Sequence, residues 1–288
     1  MTRSDERFFC ELTMNYELFF VPLSPHYIYK VMHRIVVKVG SNVLTTDKGK
    51  LDITRLSALV DQIAWMREKG YEVILVSSGA VACGRQELRG ETADLDSVEQ
   101  RQLYSAVGQA KLVNHYYDLF REYGLHVGQV LTMKANFEAG DQYRNQQSCI
   151  QLMLDNGVIP VVNENDTVSL TGLMFTDNDE LSGLIAKMMN AEMLILLSNI
   201  NGIYTGDPKD PESELIREVK PEDDLDEYIQ SKKSSAGRGG MESKYHTARE
   251  VAASGIRVMI ANGKADNILP RLLKDPKKTK HTEFLPSN

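Results

Sequence analysis

The sequence predicts an α/β protein, a three-layer α/β/α sandwich with a mainly parallel central sheet. Three observations predict it. Short runs such as YEVILVSSG (71–79) and MLILLSN (193–199) are almost continuously apolar until they reach a polar end, the pattern of strands covered on both faces rather than one. Segments with apolar residues three and four positions apart fall between such runs, so strands and helices alternate. No repeat period or low-complexity segment interrupts the alternation.

The alternation starts at RIVVKV (34–39), a β-branched run ending at Gly40. Leu51–Gly70 carries Leu56, Leu59, Val60, Ile63 and Ala64 at helical spacing and stops at a glycine, a usual C-terminal signal. YEVILVSSG follows as a strand that runs into a Ser-Ser-Gly turn and then a helix. Residues 97–123 form a long amphipathic helix and HVGQVLTM (126–133) a strand. A helix over 143–156 ends at Asn156-Gly157, and VIPVVN (158–163) is the next strand. A helix over 182–190 precedes MLILLSN, and the turn-rich NGIYTGDPKDP follows it. Residues 207–240 are polar and read as an insertion carrying loops. Trp65 and the Met188-Met189 pair read as core residues. Residues 32–288 are therefore expected to form one α/β domain.

Residues 1–31 read differently. They hold aromatics and a VPLSP turn signal but no clean period, and Pro22 and Pro25 would break a helix. They lack the signal-peptide order of basic, apolar, then small residues. The segment reads as an N-terminal extension or an upstream start, with Met32 as a natural chain start.

Composition excludes several function classes. With 42% hydrophobic and 25% charged residues the chain is too apolar for disorder. A net charge of −7 removes any domain-wide electrostatic footprint for nucleic acid. No apolar run approaches the roughly 18 residues of a membrane span. Cys10, Cys83 and Cys149 are far apart with no CxxC, which argues against a disulfide framework or a cysteine zinc site and for a reducing, cytoplasmic setting. No two of the six histidines form HxxxH, which argues against a zinc hydrolase.

In open α/β sheets ligands gather at the carboxyl ends of the strands. The polar residues there are Lys38, Gly40, Ser41 and Asn42; Ser77, Ser78 and Gly79; Asn163, Glu164, Asn165 and Asp166; and Ser198 with Asn199. Two further clusters precede helices: Asp177-Asn178-Asp179, and the glycine-rich Gly237-Arg238-Gly239-Gly240-Met241-Glu242-Ser243-Lys244. Taken singly, each has a plainer reading. A strand-edge lysine is usually a solvated charge, Asp177 or Asp179 suits a helix N-cap, and a glycine cluster is usually a flexible loop. Their joint placement at one edge of the sheet suits an anionic ligand, because serine hydroxyls, backbone N–H groups and lysines all bind phosphate. There is no GxxxxGK[ST] and no HRD…DFG set, which excludes P-loop enzymes and protein kinases, and the lack of a GxGxxG after the first strand counts against a dinucleotide-binding Rossmann enzyme.

The segments VVKVGSNVLT, VSSGAVACGR, AVGQAKLV, PVVNENDTVS, FTDNDELS, GIYTGDP and GRGGMESK, in this order, resemble the glutamate 5-kinases of the amino-acid kinase superfamily. The resemblance runs from about Ile35 to Lys274, and the NENDTVS and TDNDELS pair separates this family from acetylglutamate, aspartate and uridylate kinases. It implies the amino-acid kinase fold and transfer of the γ-phosphoryl group of ATP to the γ-carboxylate of L-glutamate, the first step of proline synthesis. It also implies Mg²⁺ carried with ATP and no protein metal ligands. Proline is implied as a feedback inhibitor, a homo-oligomer as the assembly, and glutamyl-phosphate reductase as a partner. Position by position, it makes Lys38, Asp177 and Lys244 catalytic, with Asp177 organising the two lysines. It gives Ser78, Asp166 and Asn178 to glutamate. The nucleotide falls to Lys38, Ser198, Asn199, Arg238, Gly239, Gly240, Met241, Glu242, Ser243 and Lys244.

The chemistry of these residue types agrees. Two lysines and Mg²⁺ can supply the positive charge that phosphoryl transfer between anions needs. The acceptor is already a carboxylate, so no general base is required. Asp166 suits an ammonium, and the Ser78-Gly79 turn with the Asn178 amide suits a carboxylate. Three departures stand out: Ser198-Asn199 replaces the family's Thr-Asp, Arg238 replaces a threonine, and an end at residue 288 leaves no room for the PUA domain of many bacterial members, as in a short form. Two other readings stay open: a superfamily kinase for another small carboxylate or carbamate, and a catalytically weak nucleotide- or amino-acid-binding regulator.

Overall fold

The computed structural model describes residues 33–88, 95–169, 175, 177–230 and 240–287. The expected extension 1–31 and two expected nucleotide residues, Arg238 and Gly239, lie outside the described residues. The first half of the chain runs β1 (Arg34–Val39), α1 (Ser41–Leu44), α2 (Ile53–Glu68), β2 (Glu72–Ser77), α3 (Ala80–Glu87), α4 (Ser97–Arg121), β3 (His126–Thr132), α5 (Asp141–Asp155) and β4 (Val158–Glu164). The second half runs α6 (Asn178–Met188), β5 (Met193–Ser198), β6 (Glu218–Val219), α7 (Asp226–Gln230), α8 (Met241–Ala253), β7 (Arg257–Asn262), α9 (Ile268–Lys274) and β8 (His281–Phe284).

The strands form one sheet in the order β3-β4-β2-β1-β5-β7-β8-β6. Every pairing is parallel except β7 with β8. Alternation along each strand divides the core in two. On one face Val36, Ile74, Val76, Val162, Leu194 and Leu196 pack with α6 and α8 residues such as Leu181, Ile185, Tyr245 and Ala248. On the other, Ile35, Val37, Val39, Leu75, Val161 and Ile195 pack with Leu56 and Val60 of α2, Leu112 and Tyr116 of α4, and Leu269 of α9. Each fully buried aliphatic side chain contributes about 1.5–3 kcal/mol of transfer free energy. The expected three-layer sandwich with a mainly parallel sheet is what forms.

Two features of this arrangement create the site. First, β1 is the switch point of the sheet: its neighbours are β2 and β5, so the chain builds outwards on opposite sides of it. A crevice opens there beyond the strand ends. Second, Lys38 lies two residues after Val36 and therefore on the α6/α8 face.

The structure departs from the sequence reading in a few places. The helix expected over 182–190 begins at Asn178, because Asp177 caps it by accepting from the backbone N–H groups of Asp179 (2.8 Å) and Glu180 (3.1 Å). The polar stretch 207–240 contains β6 and α7 as well as loops. Strand β7, helix α9 and the antiparallel β8 complete the sheet beyond the elements the sequence reading assigned.

Candidate active site

The polar strand ends meet along one edge of the sheet. Gly79, just after β2, has φ 114°, a left-handed conformation that a residue with a Cβ rarely adopts. It turns the chain sharply into α3 and leaves Ser78 at the mouth of the crevice. The Asn178 amide donates to Ser78 Oγ (2.9 Å) and to Asn163 Oδ1 (2.9 Å), and Asn163 in turn donates to Gln109 Oε1 of α4 (2.8 Å). Behind them Tyr116 of α4 shares a 2.7 Å hydrogen bond with Ser77. Three of the expected residues or their neighbours, from β2, β4 and α6, are thus tied into one chain. Both hydrogens of the Asn178 amide are engaged inside the protein, and Ser78 Oγ, which accepts one of them, keeps its own hydroxyl proton to donate.

Asp166, two residues past β4, is 7% exposed and is met by Arg101 of α4. The guanidinium donates to Asp166 Oδ1 through Nε (2.9 Å) and Nη2 (2.5 Å), and to Glu164 Oε2 (3.2 Å). The other oxygen of Glu164 accepts from the Phe175 backbone N–H (3.1 Å).

At the centre, the aspartate that organises the lysines is Asp179, not Asp177. Lys38 Nζ lies 2.5 Å from Asp179 Oδ1, and Lys244 Nζ donates to Asp179 Oδ2 at 2.9 Å. All three side chains are buried. The helix start explains the exchange. Asp177 is spent as the N-cap, whereas Asp179 sits one half-turn on and points at the β1 face. Burial alone would raise the pKa of Asp179, but Lys38 and Lys244 outweigh it and hold the carboxyl below its ordinary value. Asp177 moves the opposite way. Burial and the neighbouring Asp179 charge raise its pKa against the weaker pull of Ser243 and Lys38. Its Oδ2 is buried with no partner in hydrogen-bonding geometry among the described residues.

The expected nucleotide residues divide. Ser198 ends β5 opposite Asn262 of β7, with Asn199 after it; Gly40 N–H donates to the Leu197 carbonyl at 3.3 Å, joining this edge to the end of β1. Gly240 is the N-cap of α8, Met241, Glu242 and Ser243 form its first turn, and Lys244 follows directly, one turn on from Gly240. Among the described residues, no group of three His, Cys, Asp or Glu is placed to hold a metal, and no helix is long and apolar enough to cross a membrane. Two open clefts elsewhere carry none of these residues. One of about 450 Å³ is lined by Arg34, Gln151 and Met189, and one of about 590 Å³ by Trp65, Arg271 and Lys274.

Sequence reading missed Asp179 as the lysine bridge, and Arg101 and Gln109 altogether. The first was within reach, since the residue directly before a helix is its N-cap and a second aspartate two positions on is then free for another use. Arg101 and Gln109 carry no local signal, because both look like ordinary polar residues of an amphipathic helix.

A parallel α/β/α sandwich with two buried lysines about one aspartate at its switch point defines a phosphoryl-transfer protein, and the chain belongs to the amino acid kinase family, whose pattern matches residues 33–262. The fold is shared with carbamate kinase from Giardia lamblia bound to AMP-PNP, at a TM-score of 0.63 and 16% identity over 89% of this chain and 99% of that one. Within the family it groups with glutamate 5-kinases. It is 63% identical over 254 residues to glutamate 5-kinase of Bacteroides thetaiotaomicron, covering 88% of this chain and 70% of that protein. It is 44% identical over 242 residues to glutamate 5-kinase of Chlorobaculum tepidum, covering 84% and 66%. The matched region thus spans about two thirds of the length of these relatives.

Proposed function

We infer that the chain is an ATP-dependent kinase that phosphorylates the γ-carboxylate of L-glutamate to L-glutamyl 5-phosphate, the first step of proline synthesis. The observation that carries this reading is the buried Lys38–Asp179–Lys244 triad at the switch point, with an ammonium-type acceptor, Asp166, and a carboxylate-type donor, Ser78, on one side. The β5/β7 strand ends and the α8 N-terminus lie on the other side, where the nucleotide is assigned.

Phosphoryl transfer between two anions requires positioning and positive charge rather than covalent help from the protein. Lys38 on β1 and Lys244 on α8 reach the transferred group from different elements. Asp179 holds both ammonium groups in place before substrate arrives, so little reorganisation remains in the transition state. The acceptor carboxylate is itself the nucleophile, and no proton has to be removed from it. Asp166 takes the α-ammonium of glutamate. Ser78, held by Asn178, donates to a substrate carboxylate. The N–H groups of the first turn of α8, together with Ser198 and Asn199, receive the nucleotide phosphates. Arg238 and Gly239 are assigned to the same loop.

Magnesium fits this donor set only as an ion carried by ATP. Asp179 is committed to two lysines, and among the described residues no three His, Cys, Asp or Glu are grouped to hold an ion, whereas Mg²⁺ characteristically keeps water and phosphate oxygens as ligands. When bound there it neutralises phosphate charge. Proline, which shares the amino-acid end groups of glutamate, is proposed to compete for the same side of the crevice. A cytoplasmic homo-oligomer that passes its labile acyl phosphate to glutamyl-phosphate reductase completes the proposal.

The test is direct. Purified protein with ATP and Mg²⁺ is offered L-glutamate, L-aspartate or N-acetyl-L-glutamate, and acyl phosphate is trapped with hydroxylamine. Hydroxamate is expected with L-glutamate and little with the other two. Equal product from N-acetylglutamate would refute the reading, because that substrate has no ammonium for Asp166.

A further inference from the structure

We propose that Arg101 is the positioning residue that sets the charge of the substrate-ammonium subsite. It does so by neutralising one of two adjacent buried carboxylates, Glu164 and Asp166. The inference rests on the assignment of Asp166 to the substrate ammonium and adds what makes Asp166 fit for that role.

Glu164 and Asp166 are two residues apart at the end of β4, with side chains 3% and 8% exposed. One guanidinium nitrogen touches both, so the carboxylates are near neighbours. Two such charges side by side in a poorly solvated place repel, and without compensation one of them takes up a proton or turns away. Arg101 leaves the pair with a single net negative charge, which matches one ammonium. The geometry also keeps a face open. Both bonds from Arg101 to Asp166 end on Oδ1, so Arg101 makes no use of Oδ2. Arg101 therefore fixes the carboxylate through one oxygen and presents the other.

The support is built into the helix rather than left to a mobile side chain. Gln102, the next residue of α4, donates to the Thr167 carbonyl at 3.0 Å. Two consecutive α4 residues thus hold the 164–167 segment. On the far side of the pair, Glu164 receives the Phe175 N–H, which links the clamp to the chain leading into α6.

The experiment compares steady-state kinetics of the wild type, Arg101→Gln, the double variant Arg101→Gln/Glu164→Gln, and Asp166→Asn, with hydroxamate trapping as the readout. Arg101→Gln is expected to raise the KM for L-glutamate on the order of ten-fold, less than the loss of a fully buried charge pair would give because the Arg101 side chain is 28% exposed. Its kcat and its KM for ATP should stay within about two-fold, because the triad is untouched. The double variant restores a single negative charge at Asp166, while the amide oxygen brought in by Glu164→Gln can still accept from the Phe175 N–H. Its KM for glutamate is expected to return to within about three-fold of the wild type, a compensation that loss of structural support would not give. An unchanged or lower glutamate KM in Arg101→Gln overturns the proposal, and so does a double variant no better than the single one. If the single variant does not fold, the double variant against the wild type decides alone. Asp166→Asn separates the two layers: an unaltered glutamate KM there removes the assignment of Asp166 itself, whatever Arg101 does.

Discussion

Asp177 and Asp179 are two residues apart, of the same type, and opposite in behaviour. Asp177 closes the first turn of α6 and has its pKa raised by burial and by the Asp179 charge, whereas the two lysines hold the pKa of Asp179 below its ordinary value. Substitution by asparagine should separate them. Asp179→Asn removes the carboxylate that Lys38 and Lys244 share, a loss of about 3–5 kcal/mol, and turnover should fall about 10²–10³-fold as the lysines lose their fixed positions. Asp177→Asn keeps a good N-cap, so at pH 7 its stability should stay within about 0.5 kcal/mol of the wild type or exceed it. The pH dependence follows from the signs. The folded pKa of Asp177 is raised, so the native state binds its proton more tightly than the unfolded chain does. Its contribution grows as pH falls from neutrality towards 3.8, its ordinary value. The folded pKa of Asp179 is lowered, so its contribution is complete above that value and is lost as the pH falls through the folded pKa. Urea unfolding at pH 7 and at about pH 4.5 should therefore show the wild type gaining on Asp177→Asn at the lower pH. No change in that difference would mean that Asp177 titrates normally.

Among the elements, α4 does more than cover the sheet. Arg101, Gln109 and Tyr116 are spaced eight and seven residues apart and share one face. In order along the helix they hold the Asp166 segment, the Asn163–Asn178–Ser78 chain and the end of β2. This is possible only because α4 lies very close to α3. A Cβ on Gly108 would stand 1.8 Å from the Ala80 carbonyl oxygen, a backbone atom that cannot move aside without moving the Ser78-Gly79 turn. Gly108→Ala is thus expected to cost about 1–3 kcal/mol, read as a fall of several degrees in the thermal midpoint. Gly140→Ala serves as the comparison. Gly140 has an extended φ of 164° and nothing within 4 Å of a Cβ, and its midpoint should move little. Equal midpoints for the two variants would show that α3 and α4 can part at no cost.

For the whole molecule, the sheet order separates two functions around β1. On the proposed reading the β2/β4 side takes the amino acid and the β5/β7 side the nucleotide, with Lys38 of β1 between them, joined through Asp179 of α6 to Lys244 of α8. Among the described residues both core layers draw on Ile35–Phe284, and the sequence of residues 1–31 carries no clean period of its own. A chain shortened to begin at Met32 is therefore expected to unfold in one cooperative transition with the midpoint and kinase activity of the full chain. Circular dichroism melting and the hydroxamate assay check this together, and a lowered midpoint or lost activity would show that residues 1–31 contribute to the folded enzyme.

The sequence by itself determined the layers of this protein and the residues at its strand ends. Both are written locally: continuous apolar runs mark strands covered on both faces, and the polar residue that ends such a run falls at the sheet edge wherever the strand goes. Lys38, Ser78, Asp166 and Ser198 could be named on that basis, and Lys244 from the glycine-rich run that opens its helix. The antiparallel β8, with only four residues and a threonine and a glutamate in its middle, carries no comparable signal. Only the tertiary structure decided which acid joins the lysines and what holds Asp166. Asp179 rather than Asp177 depends on where α6 begins and how it lies across β1. Arg101 reaches Asp166 from 65 residues away, through the packing of α4 beside the end of β4. Contacts of that kind are set by sheet order and helix crossing, and neither leaves a pattern in the residues that make them.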